Sequence, residues 1–140
     1  MRYWDTSALF PLIYPERTSD SLREVYRKDP HVTTWILTPV EIGSALARKR
    51  REGEAPAVIL RARQFLTELE RNWTEIRDVP AVRQRALRIV EVHPLRAADA
   101  LQLAAALVGV REQTQGTGFV TLDQALAEAA QKEGFEVSGG

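Results

Sequence analysis

At 140 residues, with no cysteine and two histidines, the chain fits one domain and excludes disulfides, thiolate metal sites and an imidazole-built zinc centre. Its apolar fraction of 44% and charged fraction of 27% are ordinary for a globular domain. Basic and acidic residues number 19 each, so no whole-molecule basic field recruits nucleic acid, and any such binding has to come from a local patch.

The N-terminus carries no basic-then-apolar leader. Arg2-Tyr3-Trp4 reads as a short buried strand ending at Asp5. Leu9 to Tyr14 follows as a dense apolar patch, readable as core or as the wall of a groove that receives a partner's helix. Helical periodicity then covers Ser19 to Arg27, and His31 to Leu37 is a β-branched, aromatic strand. Val40 to Arg51 and Ala57 to Arg71 are helical, with Gly53 and Pro56 between them. Trp73 to Arg77 is a further strand, and Pro80 opens the way to a helix over Val82 to Val90. Ala97 to Val108 is helical and apolar nearly all round; its longest apolar stretch, Leu103 to Val110, is far short of the ~20 residues that cross a membrane. The glycine-rich turn Gln115 to Gly118 leads into the strand Gly118 to Thr121, then a helix over Gln124 to Glu133 with Gly134 at its C-cap. Phe135 to Val137 is the last strand.

Strands alternating with helices predict an α/β domain with a mainly parallel sheet over residues 1–137, and residues 138–140 a short flexible tail. A cytoplasmic location and no membrane partner are the expectation.

Four acids sit at junctions of strand ends and helix starts. Asp5 closes the first strand, where it is either a helix N-cap or a carboxylate at the mouth of the sheet, the place where open α/β sheets bind ligands. Glu41 lies in Thr38-Pro39-Val40-Glu41, a capping-box pattern that competes with a site role for the same carboxylate. Asp99 falls in the apolar helix, where an ionised carboxylate costs several kcal/mol unless paired with Arg96 or with a cation. Asp123 follows the Gly118 strand and precedes a helix, again an N-cap or a ligand. If the first strand neighbours the one before Asp123, both acids face one crevice, and crowded carboxylates there call for a divalent ion. All-oxygen ligation suits Mg²⁺ or Mn²⁺, a recurrent device for hydrolysing phosphate esters.

The segments Asp5-Thr6-Ser7-Ala8-Leu9, the Glu41 helix start, Ala98-Asp99-Ala100-Leu101-Gln102-Leu103-Ala104-Ala105-Ala106 and Val120-Thr121-Leu122-Asp123 together resemble the ordered motifs of PIN domains. The resemblance runs from Arg2 to Val137 and is to the VapC-type toxins of type II toxin–antitoxin systems. It implies a Rossmann-like sheet of about five parallel strands flanked by helices. It also implies Mg²⁺ or Mn²⁺ held by Asp5, Glu41, Asp99 and Asp123, with the hydroxyls of Ser7 and Thr121 in support. The implied reaction is metal-assisted attack of water on an RNA phosphodiester, leaving a 5′-phosphate: a metal-dependent endoribonuclease. Homodimers, and an antitoxin whose peptide blocks the acidic site, are implied as well. Two departures stand out. Gln102 occupies a position that is often His in relatives, and Leu122 and Gln124 flank Asp123 where some relatives carry another acid, leaving one- and two-metal mechanisms open.

Arg48-Lys49-Arg50-Arg51 ends the Glu41 helix, and Arg61, Arg63, Arg83, Arg85 and Arg88 follow on later helices. They read as solvated helix surface or, for some, as contacts to RNA phosphates. Trp4, Trp35 and Trp73 lie in or beside strand-like runs and read as core or interface; His93, before Pro94, reads as structural. A haloacid-dehalogenase phosphatase would need an acid two residues after Asp5, where Ser7 stands; a receiver domain would need a late lysine outside a helix, and Lys132 falls inside one. The remaining rival is a PIN-like fold that binds RNA or protein without cutting.

Overall fold

The computed structural model describes residues 1–139. The first half runs β1 (Arg2–Trp4), α1 (Thr6–Ile13), α2 (Ser19–Lys28), β2 (Thr33–Trp35), α3 (Thr38–Arg51) and α4 (Pro56–Asn72). The second half runs β3 (Thr74–Ile76), α5 (Val79–Val92), α6 (Ala97–Gly109), β4 (Gly118–Val120), α7 (Gln124–Lys132) and β5 (Glu136–Ser138). The strands form one sheet in the order β3-β2-β1-β4-β5, with every neighbouring pair parallel. The α/β reading with a parallel sheet is thus the observed architecture. Strands are added outward from β1 through β2 to β3, and the chain then crosses back to lay β4 against the other side of β1. The order reverses between β1 and β4, so a crevice opens past their carboxyl ends. Tyr3 pairs in register with Phe119 and Trp4 with Val120, which brings the residues after both strands side by side.

Successive strand side chains point to opposite faces. Tyr3 and Phe119 enter one core with Trp35, Ile89, Leu103 and Leu126. Trp4 and Val120 enter the other with Leu9, Leu22, Ile42 and Leu46. With helices covering both faces, β1 and β4 are apolar runs rather than alternating ones. Trp4 and Trp35 are core side chains whose indole N–H groups find no partner among the described residues, a cost of about 1–3 kcal/mol each. Trp73 packs half-buried against the second core. Among the described residues no helix is long and apolar enough to cross a membrane.

Four local expectations change. The apolar patch Leu9 to Tyr14 belongs to a helix, α1, and its C-cap: Asp5 caps the helix by accepting from Ala8 N–H at 3.1 Å, and the patch packs into the second core while Leu12 and Ile13 also line a surface groove. Its periodicity is invisible in sequence because nearly every position is buried and Pro11 sits inside. The capping box at Thr38 does not form. Leu37 is the N-cap, without a side-chain bond, while the Thr38 hydroxyl lies 2.7 Å from that of Thr34. Asp99 is half-buried, because Arg96, Ala97 and Ala98 are exposed and full burial of α6 begins at Ala100. Ser138, expected in a tail, ends β5 opposite Val120, and its carbonyl accepts from Thr121 N–H at 3.0 Å; Gly140 lies outside the described residues.

Candidate active site

Asp5 follows β1 directly and is 3% exposed. Its carboxylate accepts from Ser7 Oγ at 2.8 Å, Thr121 Oγ1 at 2.8 Å and Ala8 N–H at 3.1 Å. Each hydroxyl has one hydrogen and gives it to Asp5, so the 3.2 Å approach of Ser7 Oγ to Thr121 Oγ1 is a packing contact and not a third bond. Both hydroxyls then accept from the neighbouring loop: Leu122 N–H donates to Ser7 Oγ at 2.9 Å and Asp123 N–H to Thr121 Oγ1 at 3.0 Å. The two loops that leave β1 and β4 are laced together through Asp5. Burial pushes the Asp5 carboxyl up to about 7; the Ser7, Thr121 and Ala8 hydrogen bonds oppose this, and the charge of Asp99 adds to it.

Glu41 comes from the first turn of α3, which its failed capping role leaves free. It accepts from Gln102 Nε2 at 2.8 Å. The same amide nitrogen lies 3.1 Å from Thr6 Oγ1 and 3.2 Å from Thr38 Oγ1, and Tyr3 Oη donates to Gln102 Oε1 at 2.5 Å. An ionised carboxylate only accepts, so the amide must turn its nitrogen to Glu41 and its oxygen to Tyr3. Gln102, 1% exposed, is thereby a positioning residue for Glu41. Burial raises the Glu41 carboxyl, Gln102 resists the shift, and the charge of Asp99 adds to it.

Asp99 lies in the first turn of α6. Burial raises its carboxyl, as does the charge of Asp123, while Arg96 lowers it from a distance without forming an ion pair. Asp123 caps α7, accepting from Leu126 N–H at 2.8 Å. Asp99 is thus the electrostatic hub, felt by Asp5 and Glu41 and itself feeling Asp123. Asp5 and Asp123 both cap helices, α1 and α7, and both follow the carboxyl ends of the neighbouring strands β1 and β4.

Among the described residues, none of the four acids takes part in an ion pair with the protein's own cations. Nor do any three acids or histidines stand close enough together to hold a metal ion as they are arranged. Asp5, Glu41 and Asp123 each turn lone pairs to protein donors. The donor set itself is all oxygen and anionic, the chemistry that a hard divalent cation prefers.

The resemblance supplied Ser7 and Thr121, and the structure gives both a direct bond to Asp5. It drew no role for Tyr3, Thr6, Thr34, Thr38 or Gln102. One signal was present: Gln102 is the lone polar residue in the otherwise apolar stretch Ala100 to Val108, and a buried amide has to be bonded to something.

The fold is a parallel α/β domain with carboxylates placed after β1 and β4 and in the first turns of α3 and α6. The family model for the PIN domain matches residues 2–132, and the chain belongs to the PIN-domain family. Membership makes it a nuclease-type domain. No curated protein matches the chain.

Proposed function

We propose that the protein is a Mg²⁺- or Mn²⁺-dependent endoribonuclease and the toxin of a toxin–antitoxin pair. The observation that carries this is Asp5: a carboxylate 3% exposed, at the switch point, within the field of Asp99, and balanced by hydroxyls and not by any Arg or Lys. A buried charge left without a cation costs several kcal/mol, and a divalent ion removes that cost.

Asp5, Glu41, Asp99 and Asp123 would hold the ion, which when bound lowers the pKa of a water and stabilises charge on the phosphate. Ser7 and Thr121 fix the Asp5 carboxylate against β4, keeping its orientation as charge builds in the crevice. Gln102 fixes Glu41 through the Tyr3 hydroxyl. Asp99 and Asp123 are only half-buried, so solvent reaches both.

The toxin role and the antitoxin rest on the likeness to VapC-type toxins. In support, a groove of about 430 Å³ lies between α1, α2 and α4, with Leu12, Ile13, Phe65 and Leu69 as its apolar part and Arg23, Arg27 and Glu68 as its charged part, a mixed surface that an amphipathic antitoxin helix would fit. For a homodimer, Leu87 and Val90 stand exposed one turn apart on α5.

A second reading, a PIN-fold RNA- or protein-binding module that does not cut, is favoured by the lack of a three-ligand group among the described residues. Incubating purified protein with total RNA, in Mg²⁺ or Mn²⁺ and in EDTA, beside Asp99→Asn, separates the two. Metal-dependent cutting lost in the variant is the expected result. Absence of cutting under all conditions leaves the binding module.

A further inference from the structure

A cleft of about 420 Å³ opens beside the acid crevice, between the start of α1, the α1–α2 loop and α3. It shares Thr6 and Ser7 with the acid site: Ser7 Oγ donates to Asp5, and Thr6 Oγ1 accepts from Gln102. Its remaining wall pairs the Thr18 hydroxyl and the Arg48 guanidinium with an apolar floor that includes Phe10 and Leu122. The single carboxylate on this wall, Glu16, sits on the exposed loop.

α3 explains why Arg48 reaches it. Glu41, Ala45 and Arg48 are spaced by four and three residues and fall on one helix face, so this face leads from the acids into the cleft. Seven residues of helix carry the chain about 10 Å. The other cations of the run leave the cleft: Lys49 lies over the Tyr14 ring at 5.4 Å, and Arg50 and Arg51 do not line it. Among the described residues Arg48 forms no ion pair, as is true of most of the chain's arginines and lysines; its place on the cleft wall is what sets it apart.

We propose that this cleft seats the nucleotide adjoining the phosphate at the acid crevice, with Arg48 contacting that nucleotide's own phosphate. The inference takes its ligand, an RNA strand, from the nuclease reading, but its evidence is the cleft and the unpaired arginine. The volume falls within the range for a small-ligand site, and hydroxyls, a guanidinium and an apolar floor match a sugar, a phosphate and a base face. In a neutral protein whose crevice is anionic, such a cation sets where the strand can approach.

The test is binding of a fluorescent single-stranded oligoribonucleotide in EDTA across a KCl series, with thermal unfolding to confirm that each variant folds. Arg48→Ala should flatten the log–log salt slope by about 0.7, the loss of one phosphate contact, and weaken binding about fivefold at 0.1 M salt. Arg48→Lys should keep the slope, and the double variant Arg50→Ala/Arg51→Ala should match the unsubstituted protein. An unchanged slope in Arg48→Ala, an equal fall in the double variant, or no binding by the unsubstituted protein would each overturn the proposal. Cleavage is scored separately in Mg²⁺. Cutting with no Arg48 effect on the slope sinks this inference and keeps the nuclease; an Arg48-dependent slope without cutting does the reverse.

Discussion

At the amino-terminal edge of the sheet, Glu133 meets His93 Nε2 at 2.6 Å and Arg85 at 3.3 Å, and Arg85 also bonds Glu112 at 3.0 Å. At the carboxyl-terminal edge, Asp5, Glu41, Asp99 and Asp123 meet hydroxyls, one amide and backbone N–H groups. The same residue type is compensated by the protein's own cations at one end and left uncompensated at the other. The first cluster ties the C-terminal ends of α5 and α7 to the loop after α6, a structural task that also covers His93. The second carries a net anionic charge that costs stability. Free energy is given up at one edge and not at the other, and under the proposed function the uncompensated edge is the one that would take an external cation.

The contrast can be broken at several points. The largest effect is expected from Asp99→Asn, the hub of the acid cluster: cleavage should fall on the order of 10²-fold or more, while the metal-free protein melts higher because repulsion is relieved. Gel-resolved cleavage rates and thermal scans in EDTA check the two halves. A lower melting temperature would make Asp99 a structural acid like Glu133.

Next is the pH dependence carried by Asp5. Its carboxyl is raised from 3.8 to about 7, so the folded state holds the proton more tightly than the unfolded one. The stability from that proton is fully present below pH 3.8 and is lost as pH rises through 7, on the order of 4 kcal/mol for this group. Denaturant unfolding of metal-free protein from pH 4 to pH 8 should show the decline, and Asp5→Asn should remove it. A profile identical in the variant would place the Asp5 pKa elsewhere.

Gln102→Leu sharpens the account at smaller scale. It removes the donor to Glu41 and orphans the Tyr3 hydroxyl, and activity should fall about 10- to 100-fold. Gln102→Glu, which sets a carboxylate against Glu41, should be worse than Gln102→His, which retains a donor. Equal activity in all three would reduce Gln102 to core filler. The smallest effect belongs to the paired edge: Glu133→Gln should cost about 1–3 kcal/mol of stability and leave the cleavage rate per folded molecule unchanged.

Much of this is legible in the sequence. The apolar runs at Tyr3-Trp4 and Phe119-Val120 announce buried parallel strands, and acids directly after them announce the crevice. The elements that escaped did so for physical reasons. α1 has no polar face from which to read a period, and Pro11 argues against a helix. Thr38 satisfies every local rule for a cap, yet tertiary contact with Thr34 and Gln102 outbids the local bond. Ser138 has the composition of a tail, but a free edge beside Val120 and Thr121 gives its backbone partners. In the site, residue types and order were readable, whereas side-chain direction was not: Arg48 and Lys49 are neighbours in sequence and face different surfaces.

The most direct measurement is the melting temperature at pH 7.5 in EDTA and in Mn²⁺, for the unsubstituted protein, Asp99→Asn and Glu133→Gln. An ion bound only by the folded state, at 100 times its dissociation constant, adds about 2.7 kcal/mol, or roughly 8 °C for a domain of this size. A rise of that order is expected in the unsubstituted protein and in Glu133→Gln, and its loss in Asp99→Asn. Equal melting with and without metal in all three would contradict it, and the acids would then be caps and core groups serving no cation.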